Sequence, residues 1–317
     1  MWYAGIDWAD DHHDAAVFDD AGQRVASCRV SHTPEGLAQL VVFLQGTVAS
    51  APTLQELVCL IETTRSQLIT ALLDAGLAVY PVNPKTVDRR RTPSGAKTDV
   101  TDAYLLAKTG RSDLADLRRL APDSPLVQEL RALTRDQDGL IQSQTRLVNQ
   151  LTDCLNAYYP VALDLFTNLQ QPLTLTFLQT YPTLEAAQLT SVEELTALLQ
   201  QHHHPAPAAT AHALWERLHQ PQLQADAITI RSKSRLLLAL VSQLAPLVEQ
   251  IKQYDTEISC LFLSHPDSVI FVSLPRAGKR LAPRLLAGWG DDRERYLSAA
   301  TVQALAGTSP VAYECGK

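Results

Sequence analysis

Residues 2–31 hold three short strand-like runs separated by polar and turn-forming residues. Three strands are predicted there, at 2–7, 13–19 and 24–31, with Asp20-Ala21-Gly22-Gln23 as the turn between the last two. Thr33-Pro34-Glu35 then opens a helix to about Leu44, because proline suits a first helical turn. The unbroken apolar run Leu57–Ile61 predicts a short buried strand, followed by a helix from Thr64 to Asp74 that stops near Gly76. A strand at 77–82, a helix from Lys85 to Arg91, a loop from Thr92 to Lys97 and a helix capped by Thr98 complete this region.

From Pro125 the pattern changes. Leu126, Leu130, Leu133, Leu140, Leu147, Leu151 and Leu155 fall at helical spacing over a stretch reaching Tyr159, with Asp136–Gly139 as its weak point. A second long helix is predicted from Ile228 to Leu263, with Leu237, Leu240, Leu244, Leu247, Ile251 and Ile258 on one face and a kink at Pro246. Two such stripes fit either an antiparallel hairpin or an intermolecular coiled coil. Residues 160–225, rich in proline and carrying His202-His203-His204, form a small helical insert. The histidine run has no adjacent carboxylate and is taken as a loop tip. Beyond Leu274-Pro275 come a helix through Leu286, ended by Gly288 and Gly290, and another at 299–306.

A three-strand meander followed by alternating helix and strand is the ribonuclease-H-like order. The expected organisation is an α/β domain at 1–120, a long helical region at 121–265 and a small α-helical domain at 266–317. The 317 residues allow about two domains by length.

Composition narrows the class. Hydrophobic residues make up 46% of the chain, ample for a core, yet no apolar run approaches the ~18 residues of a membrane span. No signal peptide is recognised, so a cytoplasmic protein is expected. The five cysteines show no metal-ligand spacing, which fits reduced thiols without a zinc site. A net charge of −7 argues against a general nucleic-acid coat, but basic residues cluster locally. Arg89, Arg90, Arg91 and Lys97 form one group; Arg276, Lys279 and Arg280 form another. Both are candidates for phosphate contact.

Four carboxylates carry the candidate chemistry. Asp7 lies in Gly5-Ile6-Asp7-Trp8-Ala9 and Glu62 in Leu60-Ile61-Glu62-Thr63-Thr64, each at the end of an apolar run where a buried strand would surface. Asp99 and Asp102 are three apart in Lys97-Thr98-Asp99-Val100-Thr101-Asp102-Ala103 and share a helix face. Converging acids repel each other unless a divalent cation neutralises them. Oxygen ligands suit Mg²⁺, and a pair of such ions can clamp an in-line phosphoryl displacement.

These motifs, together with the stretch from Leu274-Pro275 through Gly288-Trp289-Gly290-Asp291 to Ala306-Gly307-Thr308-Ser309-Pro310, resemble the DEDD-type insertion-sequence transposases of the IS110 family, relatives of the Piv invertases. The resemblance spans nearly the whole chain. It implies a RuvC-like domain, a long coiled-coil region and a C-terminal transposase domain. It also implies Asp7, Glu62, Asp99 and Asp102 as ligands for two Mg²⁺ ions, with Mn²⁺ as a substitute. Implied partners are donor and target DNA, a structured noncoding guide RNA (a bridge RNA), and further copies of the chain as a dimer that pairs into a tetramer on DNA. A bacterial, nucleoid-associated location follows from the same resemblance.

The family places a serine nucleophile before Gly-Lys. Here that place reads Glu314-Cys315-Gly316-Lys317, with cysteine for serine, and family members continue further. A thiolate attacks phosphorus poorly, so nucleic-acid binding is expected to survive while strand exchange is weak or lost. Two alternatives remain at this stage: a metal-dependent junction-resolving nuclease that activates water, and a non-catalytic DNA- and RNA-binding remnant. An actin-like sugar kinase, which can also open with Gly-Ile-Asp, lacks its Asp-x-Gly-Thr phosphate loops here.

Overall fold

In the computed structural model, residues 1–47, 56–63, 66–90, 99–296 and 298–310 are described, the side chains of residues 89, 90, 99 and 100 excepted. The chain divides into two compact units, Met1–Pro122 and Asp123–Lys317.

The first unit is built on a five-stranded sheet of order β3-β2-β1-β4-β5. Its strands are β1 (Trp2–Trp8), β2 (His12–Phe18), β3 (Arg24–Ser31), β4 (Leu57–Ile61) and β5 (Ala78–Pro81). β2 runs antiparallel to both β1 and β3, whereas β4 is parallel to β1 and β5 parallel to β4. The mixed sheet, flanked by helices, is consistent with a ribonuclease-H-like domain. Parallel neighbours need crossovers, and helices α1 (Pro34–Thr47) and α2 (Gln67–Asp74) supply them. α1 starts where Thr33 Oγ1 accepts from the Gly36 amide, and α2 where Ser66 Oγ accepts from the Ile69 amide.

Strand alternation sends side chains to two cores. Ala4, Ile6, Ala15, Val17, Cys59, Ile61 and Val79 pack with α1 and α2 on one face. Tyr3, Ala16, Phe18, Val58 and Leu60 pack on the other with α3 (Pro84–Arg90) and α4 (Asp99–Asp113). α4 lies across β1 and comes unusually close. A Cβ on Gly5 would stand 1.8 Å from the Ala103 carbonyl oxygen and 2.7 Å from the Ala107 nitrogen.

The second unit is helical. α5 (Pro125–Tyr158) is capped by Ser124, and α11 (Ala227–Ser264) by Asp226, whose carboxylate accepts from the Ile228 and Thr229 amides. Both helices run unbroken, α5 through Asp136–Gly139 and α11 through Pro246. They pack antiparallel within one chain: Leu130 clusters with Phe262, Gln137 donates to Asp255 at 2.8 Å, and the Cys154 thiol reaches the Lys233 carbonyl. Their apolar stripes therefore cover each other, and the stripes alone do not call for a second chain.

Between them, α6 (Val161–Leu165), α7 (Pro172–Thr180), α8 (Leu184–Gln188), α9 (Val192–Gln201) and α10 (Pro207–His219) build a core with the adjoining ends of α5 and α11. The histidine run lies just after α9, His203 having positive φ. α12 (Ser268–Ser273), α13 (Leu281–Trp289) and α14 (Ala299–Leu305) follow. Leu286, Ala282 and Phe271 pack on Leu130 and Ile258 at the opposite end of the long pair. No described helix is long and apolar enough to cross a membrane. The four described cysteines are free thiols, and burial pushes Cys59 up to about 12.

Candidate functional site

Asp7 stands near the C-terminal end of β1, and Glu62 is the residue immediately after β4. Ile6 pairs with Ile61 in parallel register, so the two acids stand level on neighbouring strands. Parity places both on the α4 side: Tyr3, Gly5 and Asp7 alternate with Ala4 and Ile6, and Val58, Leu60 and Glu62 alternate with Cys59 and Ile61. Both are half-buried.

The course of α4 supplies the remaining acids. Ala103 and Ala107 press on Gly5, and Gly110 faces the Leu60 side chain. Arg111, near the far end of α4, donates to the Asp20 carbonyl at 3.3 Å, and Asp20 pairs with the amino group of Met1 at 2.9 Å. α4 thus runs antiparallel to β1, and its first turn lies over the end that carries Asp7. Asp102, 4% exposed, is in that turn, and Asp99 is its first residue. The side chain of Asp99 lies outside the described residues. The backbone therefore brings all four predicted positions to one end of the sheet. Among the described residues, no three His, Cys, Asp or Glu side chains stand close enough together to hold an ion.

A fifth acid went unnoticed in the sequence. Asp14 is the cross-strand partner of Asp7 and shares its face. Arg29, its partner on β3, grips it through Nε at 3.0 Å and Nη2 at 2.5 Å, and His12 Nε2 is 3.8 Å away. The Asp14 carboxylate is thus paired with Arg29 across the β2–β3 ladder. Only the register of β2 against β3 brings Asp14 and Arg29 together, so no local motif could have announced the pair.

The basic groups distribute unevenly. Arg89 and Arg90 lie in α3 with undescribed side chains; Arg91, Lys97 and Cys315 lie outside the described residues. Arg276 and Lys279 are exposed in the turn before α13, Arg276 with a left-handed φ of 63°. Arg280 is bound bidentately by Asp255 at 2.8 and 2.6 Å, and this pairing holds the Asp255 carboxyl below its ordinary range. Arg280 is thus occupied within the fold, unlike its two neighbours in the predicted cluster.

A second charged network orders this unit. Asp123, its side chain 3% exposed, accepts from Arg131 at 2.6 Å, from Arg295 at 2.9 Å and from the Asp291 amide at 3.0 Å. Burial alone would raise its pKa, but these donors outweigh that and hold it below the usual range. Gly290, at φ 86°, lets the backbone pass: a Cβ there would lie 2.3 Å from Asp123 Oδ1. Asp291 bonds His265 Nε2 at 2.9 Å and accepts from the Ser124 amide at 2.6 Å.

Comparison with known proteins agrees with this picture. A family model described as Transposase, of the DEDD IS110 type, matches residues 4–160. The chain is 30% identical over 330 residues to the mini-circle putative transposase for IS117 of Streptomyces coelicolor, an alignment covering 99% of this chain and 78% of that relative. It is 32% identical over 203 residues to the putative transposase y4uE of Sinorhizobium fredii, covering 63% and 56% respectively. It is 29% identical over 324 residues to the insertion element IS116 uncharacterized 44.8 kDa protein of Streptomyces clavuligerus, covering 99% and 77%. With a carboxylate-bearing sheet end and relatives named as transposases, the chain belongs to the IS110 family of DEDD transposases and is an enzyme of the DNA recombinase and transposase class.

Proposed function

We propose that this transposase cuts and rejoins DNA at the end of the sheet carrying Asp7, Glu62, Asp99 and Asp102, guided by a structured noncoding RNA. The observation that supports it is the level placement of Asp7 and Glu62 beneath the first turn of α4. DEDD transposases depend on a divalent metal, and four carboxylates are a hard-oxygen donor set that fits Mg²⁺ or Mn²⁺. Two Mg²⁺ ions would be held by those four residues. When bound, they would neutralise the acids and stabilise charge on the phosphate oxygens.

The chain's own residues do the rest. The Arg89–Arg91 run and Lys97 would bind phosphates flanking the cut, and Arg276 and Lys279 would bind phosphates elsewhere on the bound nucleic acid. Cys315 occupies the nucleophile position. Its thiolate would attack phosphorus more poorly than the family's serine hydroxyl, forming a P–S bond while one P–O ester bond breaks and the departing oxygen takes a proton, so strand exchange by this chain would be weak. Base pairing with the guide RNA would read sequence, leaving the protein to read shape and backbone. That division fits a chain of net charge −7 with local basic groups. The long helices would form the family's coiled-coil region, and a dimer pairing into a tetramer would hold the two duplexes.

The test is Asp7→Ala in the full chain, with element ends, flanking RNA and Mg²⁺. Cleavage is expected to be abolished while RNA binding stays within about twofold on a filter assay, because a ligand to the reacting centre adds little to backbone recognition. Undiminished cutting by Asp7→Ala would remove the carboxylate site from the mechanism. A DNA adduct mapping to Cys315 after denaturing quench would establish that nucleophile. Hydrolysed ends without attached protein would assign the attack to water.

A further inference from the structure

A cavity of about 330 Å³ opens on the α4 side of the sheet, lined by Ala16, Phe18, Arg24, Thr101 and Tyr104. Its size falls at the lower end of the ~300–1,000 Å³ of small-ligand sites. It runs from Thr101 and Ala16, near the carboxylate end, to Phe18 and Arg24, which pair at the far end of β2. Ala16 is two residues along β2 from Asp14, the partner of Asp7, and Thr101 precedes Asp102.

Tyr104 is out of place as a core residue. Its neighbours Ala103, Leu105, Leu106 and Ala107 are buried, yet its own side chain is 41% exposed. One side of its ring meets Phe18, with centroids 5.2 Å apart and planes inclined at 57°. Two cations lie nearby: Lys108 Nζ stands over the ring at 6.0 Å from its centroid, and the exposed Arg24 lines the cavity. An exposed aromatic face beside a cavity and two cations is the chemistry of a stacking platform for single-stranded nucleic acid.

We propose that this cavity receives one unpaired base of the DNA strand being cut, stacked on Tyr104, with Arg24 and Lys108 against the flanking phosphates. A paired base keeps both faces within its own stack, so the platform accepts only a base displaced from the duplex. DNA is favoured over RNA because Thr101, at the near end of the cavity, precedes Asp102 of the proposed cleavage site, where the cut strand must lie. The assignment thus rests on that site, and its test reads binding without cutting.

The protein would be titrated, in chelator-containing buffer, with a single-stranded DNA oligonucleotide carrying 2-aminopurine. Stacking on Tyr104 is expected to quench the probe. Tyr104→Ala should remove the quench and weaken binding on the order of tenfold, whereas Tyr104→Trp should keep both. Arg24→Ala, at an exposed position that spares the fold, should weaken binding and lower the salt slope by about one. Wild-type affinity and quench in Tyr104→Ala, with the fold verified by circular dichroism, would overturn the proposal. Tyr104 dependence with RNA but not with DNA would overturn the choice of strand. Asp7→Ala should give the full quench and no cleavage; cutting by Asp7→Ala alongside a Tyr104-dependent quench would sink the cleavage site and leave the base pocket standing.

Discussion

Gly5 decides how near α4 can come to the sheet, and so where Asp102 and Asp99 begin. No side chain fits between its Cα and the Ala103 carbonyl. Gly5→Ala is therefore expected to cost about 1–3 kcal/mol, the range for overpacking, read as a lower urea midpoint. It should also reduce cleavage more than binding, by displacing the first turn of α4. The strand-end positions of Asp7 and Glu62 were legible in the sequence because each closes an apolar run, and the position of Asp102 because it lies three residues after Asp99 at a helix start. Asp14 and Arg29 were not, since each looks like an ordinary strand residue until register pairs them. The Asp123–Arg295 contact, spanning 172 positions, leaves no local trace either.

Among elements, the strands and the two long helices follow from the apolar pattern within a few residues. What periodicity cannot supply is the partner of an apolar face, since a stripe of leucines fits a second chain as well as a second helix. The polar residues in the seam settle that here. Gln137 is 2% exposed and bonds Asp255, and Thr134 and Gln144 are also buried. Such residues pin register more than they add stability. Pro246 is the weak point of α11, exposed and without an amide for the Ser242 carbonyl. Pro246→Ala is expected to stabilise the protein by about 1–3 kcal/mol, visible as a higher Tm.

At the scale of the molecule, acid should act through the second unit. Asp123, Asp255 and Asp291 all have pKa values lowered from the ordinary 3.8. A lowered carboxyl contributes stability above that value and loses it as pH falls through the folded pKa. Stability should thus hold from neutral pH to about 4 and then fall, followed by near-ultraviolet circular dichroism. Asp123→Asn should lose about 3 kcal/mol at neutral pH, because the half-buried Arg131 and Arg295 lose their buried anion, and its acid-dependent fall should be shallower. The antiparallel pair of α5 and α11 has a consequence of another kind. One end seats α12 and α13, the other seats α6–α10, and a helix of 34 residues is roughly 50 Å long. The pair is a ruler between two attachments. Matched removal of seven residues from both helices would shorten it by roughly 10 Å and turn its ends by only about 20°, so its length is adjustable in heptads and little else.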